Sequence, residues 1–310
     1  MITEQLKRTV RTPIQVVQNG FREQSQAGLI VRRFIQNRLG MLGLVMSLSY
    51  FGIALIGPHI MPYDASTMEV VNRLAAPSLA HPFGTDQFGR DVLSRVILGA
   101  RYSLRVSVLV VSVSALAGIT LGLTAGYYGD LVDGAIMRFV DIMFAFPSIL
   151  LGLVVIAILG PGLNQAIIAL AVAYTPIMTR ITRGSAVSVR TEEYVLAAIT
   201  YGERNINIMF REMLPNLISA VIVQATITFA YATLAEASLS YLGLSAQPPT
   251  PTWGVMISAG QSFLTIAPWM SLFPGLAIMY TVLGLSFLGV GLRDALDPKT
   301  DIEPSAEGGR

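Results

Sequence analysis

The sequence predicts an all-α integral membrane protein with six transmembrane helices and a cytoplasmic helical loop between the fourth and fifth. Three observations carry that expectation. Of 310 residues, 53% are hydrophobic and only 13% are charged, against about 25% charged in soluble domains, and the mean hydropathy is +0.61. Charge-free stretches recur at lengths that cross about 30 Å of hydrocarbon at about 1.5 Å per residue. Basic residues are unequally distributed on alternate sides of those stretches.

Taken in order, residues 1–38 hold seven Lys or Arg and no early apolar core of signal-peptide length, so they read as an uncleaved cytoplasmic segment with an amphipathic elbow. Twenty uncharged residues separate Arg38 from His59, giving a first span over 39–60. Residues 61–104 form an outward segment. The membrane core over 105–292 begins with 24 uncharged residues between Arg105 and Asp130, and Arg138 falls in a short turn after them. Ile142 to Thr179 is uncharged for 38 residues, and Gly160, Pro161, Gly162 and Asn164 fold it into a hairpin of spans three and four. Span five covers 213–235 and continues outward past Glu236. Residues 244–268 form an outer loop, Trp269 to Leu292 supply span six, and 293–310 form a tail.

Six spans put both termini on one side. Sixteen basic residues fall on that side and in the 180–216 loop, against five (Arg73, Arg90, Arg95, Arg101 and Arg105) on the other. The positive-inside rule therefore makes the termini and the 180–216 loop cytoplasmic. The net charge of +2 is too small to point to nucleic acid, and the absence of cysteine excludes disulfides, thiolate metal sites and a cysteine nucleophile.

The stretch "EEYVLAAITYGERNINIMFREMLPN" (192–216) reads as helix, glycine turn, helix. Thr191 caps the first helix, Glu192 and Glu193 suit the positive end of its dipole, and Gly202 ends it. Asn205 caps the second, whose Ile206, Met209, Phe210 and Met213 recur with helical spacing before Pro215 stops it. Such a stripe either packs on the protein's own spans or headgroups, or is presented to a groove on a partner. Ala197 and Ala198 permit close approach.

These residues carry a resemblance. Glu193-Tyr194-Val195, Ala197-Ala198, Gly202, Ile208 and Leu214-Pro215-Asn216 resemble the cytoplasmic "EAA" loop of ABC-importer permeases. Glu212 and Arg204 depart from residues common in the peptide-type members. "HPFGTDQFGRDVLSRVILGARYSL" (81–104), "DIMFAFPSILLGLVVIAILGPGLN" (141–164) and "EASLSYLGLSAQPPTPTWG" (236–254) resemble the second permease of dipeptide, oligopeptide and nickel importers. The resemblance implies a type I permease-like fold in a bacterial cytoplasmic membrane and a heterodimer with a homologous permease. It also implies two cytoplasmic ATPase subunits that hold ATP and Mg and an extracytoplasmic binding protein. Di- or oligopeptides, or nickel, are the implied cargo. Glu193, Tyr194, Ala197, Ala198, Gly202, Ile208, Leu214, Pro215 and Asn216 would couple to the ATPases.

Other residues read as structural. Gly84 and Gly89 shape turns before an outward helix on which Asp86, Arg90, Asp91 and Arg95 form short-range pairs. Glu236 calls for an outer-loop backbone or arginine partner. Gln247-Pro248-Pro249-Thr250-Pro251 is a stiff non-helical crossover. Trp253 and Trp269 suit interfacial anchors, and Pro147, Pro176 and Pro274 mark kinks or hinges.

Absences narrow the function. The two lysines, Lys7 and Lys299, lie in no phosphate-binding loop, so this chain carries no cofactor and is not itself an enzyme. His59 and His81 have no metal-ligand spacing and are expected to be idle. No nucleophile-and-base constellation suggests a membrane-bound enzyme. The span interiors lack Asp, Glu, Lys and Arg, which argues against an ion-driven secondary transporter.

Overall fold

The computed structural model describes residues 26–296. The N-terminal segment before residue 26 and the tail from 297 lie outside the described residues. Ten helices follow in order: α1 Gln26–Gln36, α2 Arg38–Ile60, α3 Val92–Tyr128, α4 Asp130–Phe144 and α5 Ser148–Leu159. Then come α6 Leu163–Arg190, α7 Glu193–Thr200, α8 Asn205–Tyr241, α9 Trp253–Gly260 and α10 Trp269–Leu296. Five of them (α2, α3, α6, α8 and α10) are long and apolar enough to cross a membrane, and α4 with α5 makes a sixth, broken crossing.

The break in the third span is a finding that the charge pattern did not reveal. α4 and α5 meet at 89°, with Pro147 at the start of α5. Proline disfavours helical geometry in the residue before it, so the helix of Phe144 cannot run straight into that of Ser148. Arg138, expected in a short turn, lies within α4 instead. Two arginines of α6 hold α4 in place: Arg183 donates to both carboxylate oxygens of Asp133, and Arg180 donates to Asp141 at 2.7 Å.

α3 also differs from its uncharged window. It begins at Val92 and runs 37 residues, so Arg95, Arg101 and Arg105 are helical. The expected outward helix and the second span are one element. α8 continues past Glu236 to Tyr241 as the sequence suggested. The chain from 242 to 252 is non-helical through its prolines.

Apolar burial alone does not distinguish one helix neighbour from another inside lipid, so close approach at small residues sets the packing. Gly118, Gly122 and Gly126 of α3 face Met178, Thr182 and Ala186 of α6, both sets repeating every four residues. A methyl group on any of the three glycines would stand 2.6 Å from the opposing Cβ. Gly40 of α2 and Gly291 of α10 meet in the same way, with the Phe34 ring of α1 packed over both. α1 is thereby docked on the end of α10.

Candidate functional site

α7 and the start of α8 form the helical loop at one end of the bundle. Thr191 does not cap α7: its hydroxyl donates back to the Ser188 carbonyl at 2.8 Å and closes α6. Glu192 holds the cap position without a side-chain bond, and Glu193 stands exposed in the first turn. The far end follows the sequence. Gly202 has φ +74°, a conformation open to glycine at little cost. Its N–H donates to the Ile199 carbonyl at 3.0 Å and the Glu203 N–H donates to the Ala198 carbonyl at 3.1 Å. That bond pair is a Schellman closure.

Asn205 is not a cap either. Its Oδ1 accepts from the Tyr127 hydroxyl at 2.9 Å and its Nδ2 donates to the Tyr128 hydroxyl at 3.4 Å, tying the loop to the end of α3. Nor does Pro215 stop the helix. Residues Ile208–Met213 form a π turn, in which the Leu214 N–H reaches back five residues to Met209. The wider turn lets α8 pass a residue that lacks an N–H and crowds the preceding turn. Asn216 donates to the Glu212 carbonyl at 2.6 Å just beyond.

The apolar stripe divides between both readings offered by the sequence. Val195, Ile208, Met209 and Met213 are buried with Leu123 and Tyr127 of α3 and Leu217 of α8. Ile208 therefore packs inside this chain. Ile206 and Phe210 remain exposed, α7 adds Tyr194, Leu196 and Ile199, and Tyr201 just past its end is 89% exposed. Partial burial and the nearby Glu192 and Glu212 carboxylates push the Tyr194 phenol above its ordinary pKa. Tyr201 was not singled out by the sequence reading. The signal was present, since Tyr194, Ala197, Ala198 and Tyr201 recur at i, i+3, i+4 and i+7. Ala197, Gly202, Pro215 and Asn216 are exposed as well, while Ala198 and Leu214 are half-buried.

A second folded unit occupies the opposite end. Gly84 and Gly89 adopt φ +72° and +79°, and a side chain on Gly84 would stand 2.7 Å from the Ala75 carbonyl and the Trp269 indole nitrogen. Asp86 accepts from the Arg90 Nε at 2.7 Å and from the Phe88 and Arg90 backbone N–H groups. Arg95 approaches Asp86 at 3.6 Å and donates to the Ala65 carbonyl. Asp91 pairs with no arginine among the described residues. It caps α3 by accepting from the Ser94 N–H and hydroxyl, and its other oxygen contacts the His81 Nδ1 at 2.9 Å. His81 is therefore part of this lock.

The tryptophans depart from the interfacial reading. The Trp253 indole is buried and donates to the Val96 carbonyl at 2.9 Å, and that of Trp269 donates to the Thr85 carbonyl at 3.0 Å. An anchor would direct its N–H toward headgroups; these direct it into the fold. Among the described residues, Glu236 meets neither an arginine nor the backbone. Ser240 donates to its Oε1 at 2.6 Å and Ser245 at 3.5 Å. Among the described residues, no group of three His, Asp or Glu side chains gathers to hold a metal.

Beside the helical loop, a cavity of about 400 Å³ opens between α6, α8 and α10. Its lining is mostly apolar, from Ile181, Leu217, Val223 and Ile227 among others, with Ser185, Asn216, Ser219, Gln224 and Arg293 as its polar members.

Apolar spans, one of them broken, with a folded unit at each face define a multi-pass integral membrane protein. The chain belongs to the family of binding-protein-dependent transport system inner membrane components, whose model matches residues 118–302. A second model, the N-terminal TM domain of oligopeptide transport permease C, matches residues 25–77. The chain is 47% identical to the dipeptide transport system permease protein DppC of Alkalihalophilus pseudofirmus, over 85% of this chain and 87% of that one. It is 41% identical to the glutathione transport system permease protein GsiD of Pectobacterium atrosepticum, over 86% and 89% respectively. Membership makes it an inner-membrane permease of an ATP-driven ABC importer, a subunit that works with ATPase and binding-protein partners.

Proposed function

We propose that the chain translocates di- or oligopeptides handed to it by an extracytoplasmic binding protein, as one half of a heterodimer with a homologous permease. Relatives named for dipeptide and glutathione transport support the solute class. Both termini and the 180–216 loop lie in the cytoplasm, a reading supported by the excess of basic residues on that side. The subunit is non-catalytic; its two ATPase partners hold ATP and Mg. The folded unit over Gly84, Asp86, Gly89, Arg90 and Asp91 is structural and extracytoplasmic.

The observation that carries the coupling role is the exposed apolar face of α7 and the start of α8. Tyr194, Leu196, Ile199, Tyr201, Ile206 and Phe210 stand uncovered on a glycine-closed helix pair whose other face is buried. This is the form in which a short helix enters a groove on a partner. Glu193, Tyr194, Ala197, Ala198 and Gly202 shape the docking face. Ile208, Leu214, Pro215 and Asn216 join it rigidly to the spans. ATP binds the closed ATPase dimer more tightly than the open one, and that difference in affinity drives the spans between conformations.

The test compares wild type, Gly202→Asp and Tyr201→Asp in membranes containing the partner subunits. Tyr201 is almost fully exposed, so its replacement leaves the fold intact. The reading expects both variants to insert normally and to lose ATPase co-purification and ATP-driven uptake of a labelled dipeptide. Normal association and uptake in both would overturn it.

A further inference from the structure

Of the five long spans, α3 alone is uninterrupted. α2 contains Pro58, α6 contains Pro176 and α10 contains Pro274, while α8 passes through the π turn at Ile208–Met213 with Pro215 just after it. Prolines and π turns are the points at which helices bend. α3 has neither in 37 residues, a rod of about 55 Å at the standard rise.

Each end of that rod is bonded to a different folded unit. At one end, the Tyr127 ring is buried with Val195, Ile208 and Met209 of the helical loop. Its hydroxyl donates to Asn205 at 2.9 Å. At the other end, Asp91 caps the helix and contacts His81, Arg95 donates to the Ala65 carbonyl at 3.1 Å, and Val96 accepts from the Trp253 indole. The apolar contacts at Tyr127 are non-directional and permit sliding. The hydrogen bond fixes the register of rod against loop.

We propose that α3 carries movement of the helical loop to the opposite face of the membrane, and that Tyr127 and Asn205 are the positioning residues that engage it. The proposal rests on the reading of residues 191–216 as the ATPase-docking loop. Movement of that loop pulls Asn205, Asn205 holds Tyr127, and α3 delivers the displacement undiminished to Asp91 and the segment over 61–91. The proline-bearing spans bend around it.

The chain has no cysteine, so a single Val71→Cys substitution, at a residue 99% exposed in that segment, accepts a nitroxide spin label without competing sites. Label mobility is read in the assembled transporter with and without a non-hydrolysable ATP analogue. In the labelled parent the analogue changes mobility. Tyr127→Phe and Asn205→Ala retain ATPase co-purification but cut the responding fraction about five-fold, the factor that one ordinary hydrogen bond is worth. Asn205→Asp keeps the acceptor and restores the response. An unresponsive parent, an undiminished response in Tyr127→Phe and Asn205→Ala, or Asn205→Asp behaving like Asn205→Ala would each overturn the proposal. So would loss of ATPase association in Tyr127→Phe, which would place the hydroxyl in docking. The docking reading itself fails separately, through unchanged ATPase association in Tyr201→Asp and Gly202→Asp.

Discussion

Asp86 and Arg90 pair across 2.7 Å, four residues apart, with side chains only 7% exposed. Both backbone N–H bonds that Asp86 accepts lie within the same turn, so one carboxylate both folds the turn and faces two buried arginines, Arg90 at 2.7 Å and Arg95 at 3.6 Å.

Removing that carboxylate leaves two cations without their partner. Breaking a buried pair from one side costs about 3–5 kcal/mol, and Asp86→Ala is expected to destabilise the 61–91 unit by that order. The indole of Trp269 donates to Thr85 beside it. Thermal unfolding in detergent, followed by tryptophan fluorescence, should show a clearly lowered midpoint, and an unchanged midpoint would contradict the assignment.

Asp91 acts on α3 as a cap, worth about 0.5–2 kcal/mol. Asp91→Ala should speed amide hydrogen exchange at Ser94 and Arg95 several-fold, while His81→Ala, which leaves the Ser94 bonds in place, should do so less. Equal effects from the two variants would assign the role to the His81 contact instead.

The α3–α6 seam tolerates no added volume. Gly122→Leu forces apart helices already in contact at Thr182, and overpacking of this kind costs about 1–3 kcal/mol. Gly184→Ala on α6, where nothing lies within 4 Å of the added methyl, should be close to neutral. Melting temperatures of the two purified proteins decide between them.

Glu236 is closed to solvent; its Oε1 accepts from the Ser240 and Ser245 hydroxyls, while among the described residues its buried Oε2 meets no hydrogen-bond donor. Glu236→Gln preserves an acceptor for Ser240 and should leave stability nearly unchanged. Glu236→Leu leaves Ser240 and Ser245 without that acceptor and should cost about 1–3 kcal/mol. A chemical-denaturation series would show the difference, and equal losses would mean that the charge itself is required.

The uncharged windows revealed the long spans because a crossing needs an apolar stretch of span length, though Asp133, Arg138 and Asp141 concealed α4, and Gly202 was legible because a positive φ selects glycine locally. The errors share a different cause. Thr191 and Asn205 are good capping types, yet Thr191 bonds back into α6 and Asn205 is claimed by Tyr127, a partner distant in the chain. The start of α3 was hidden by charged side chains whose partners, such as Ala65 for Arg95, lie outside the local window. Trp253 and Trp269 donate to carbonyls 157 and 184 residues away, and no local rule anticipates that. Pro215 misled because a π turn absorbs the clash that would end an ordinary helix.

The break at Pro147 also constrains how the protein is made. α5 has 12 residues, about 18 Å of helix against a hydrocarbon core of about 30 Å, so it is too short to be retained in the bilayer as an independent segment during synthesis. It packs along α6, with Ile156 buried against Ala166 and Leu170. Retention of α5 therefore depends on its neighbours, α4 before it in the same broken crossing and α6 after it.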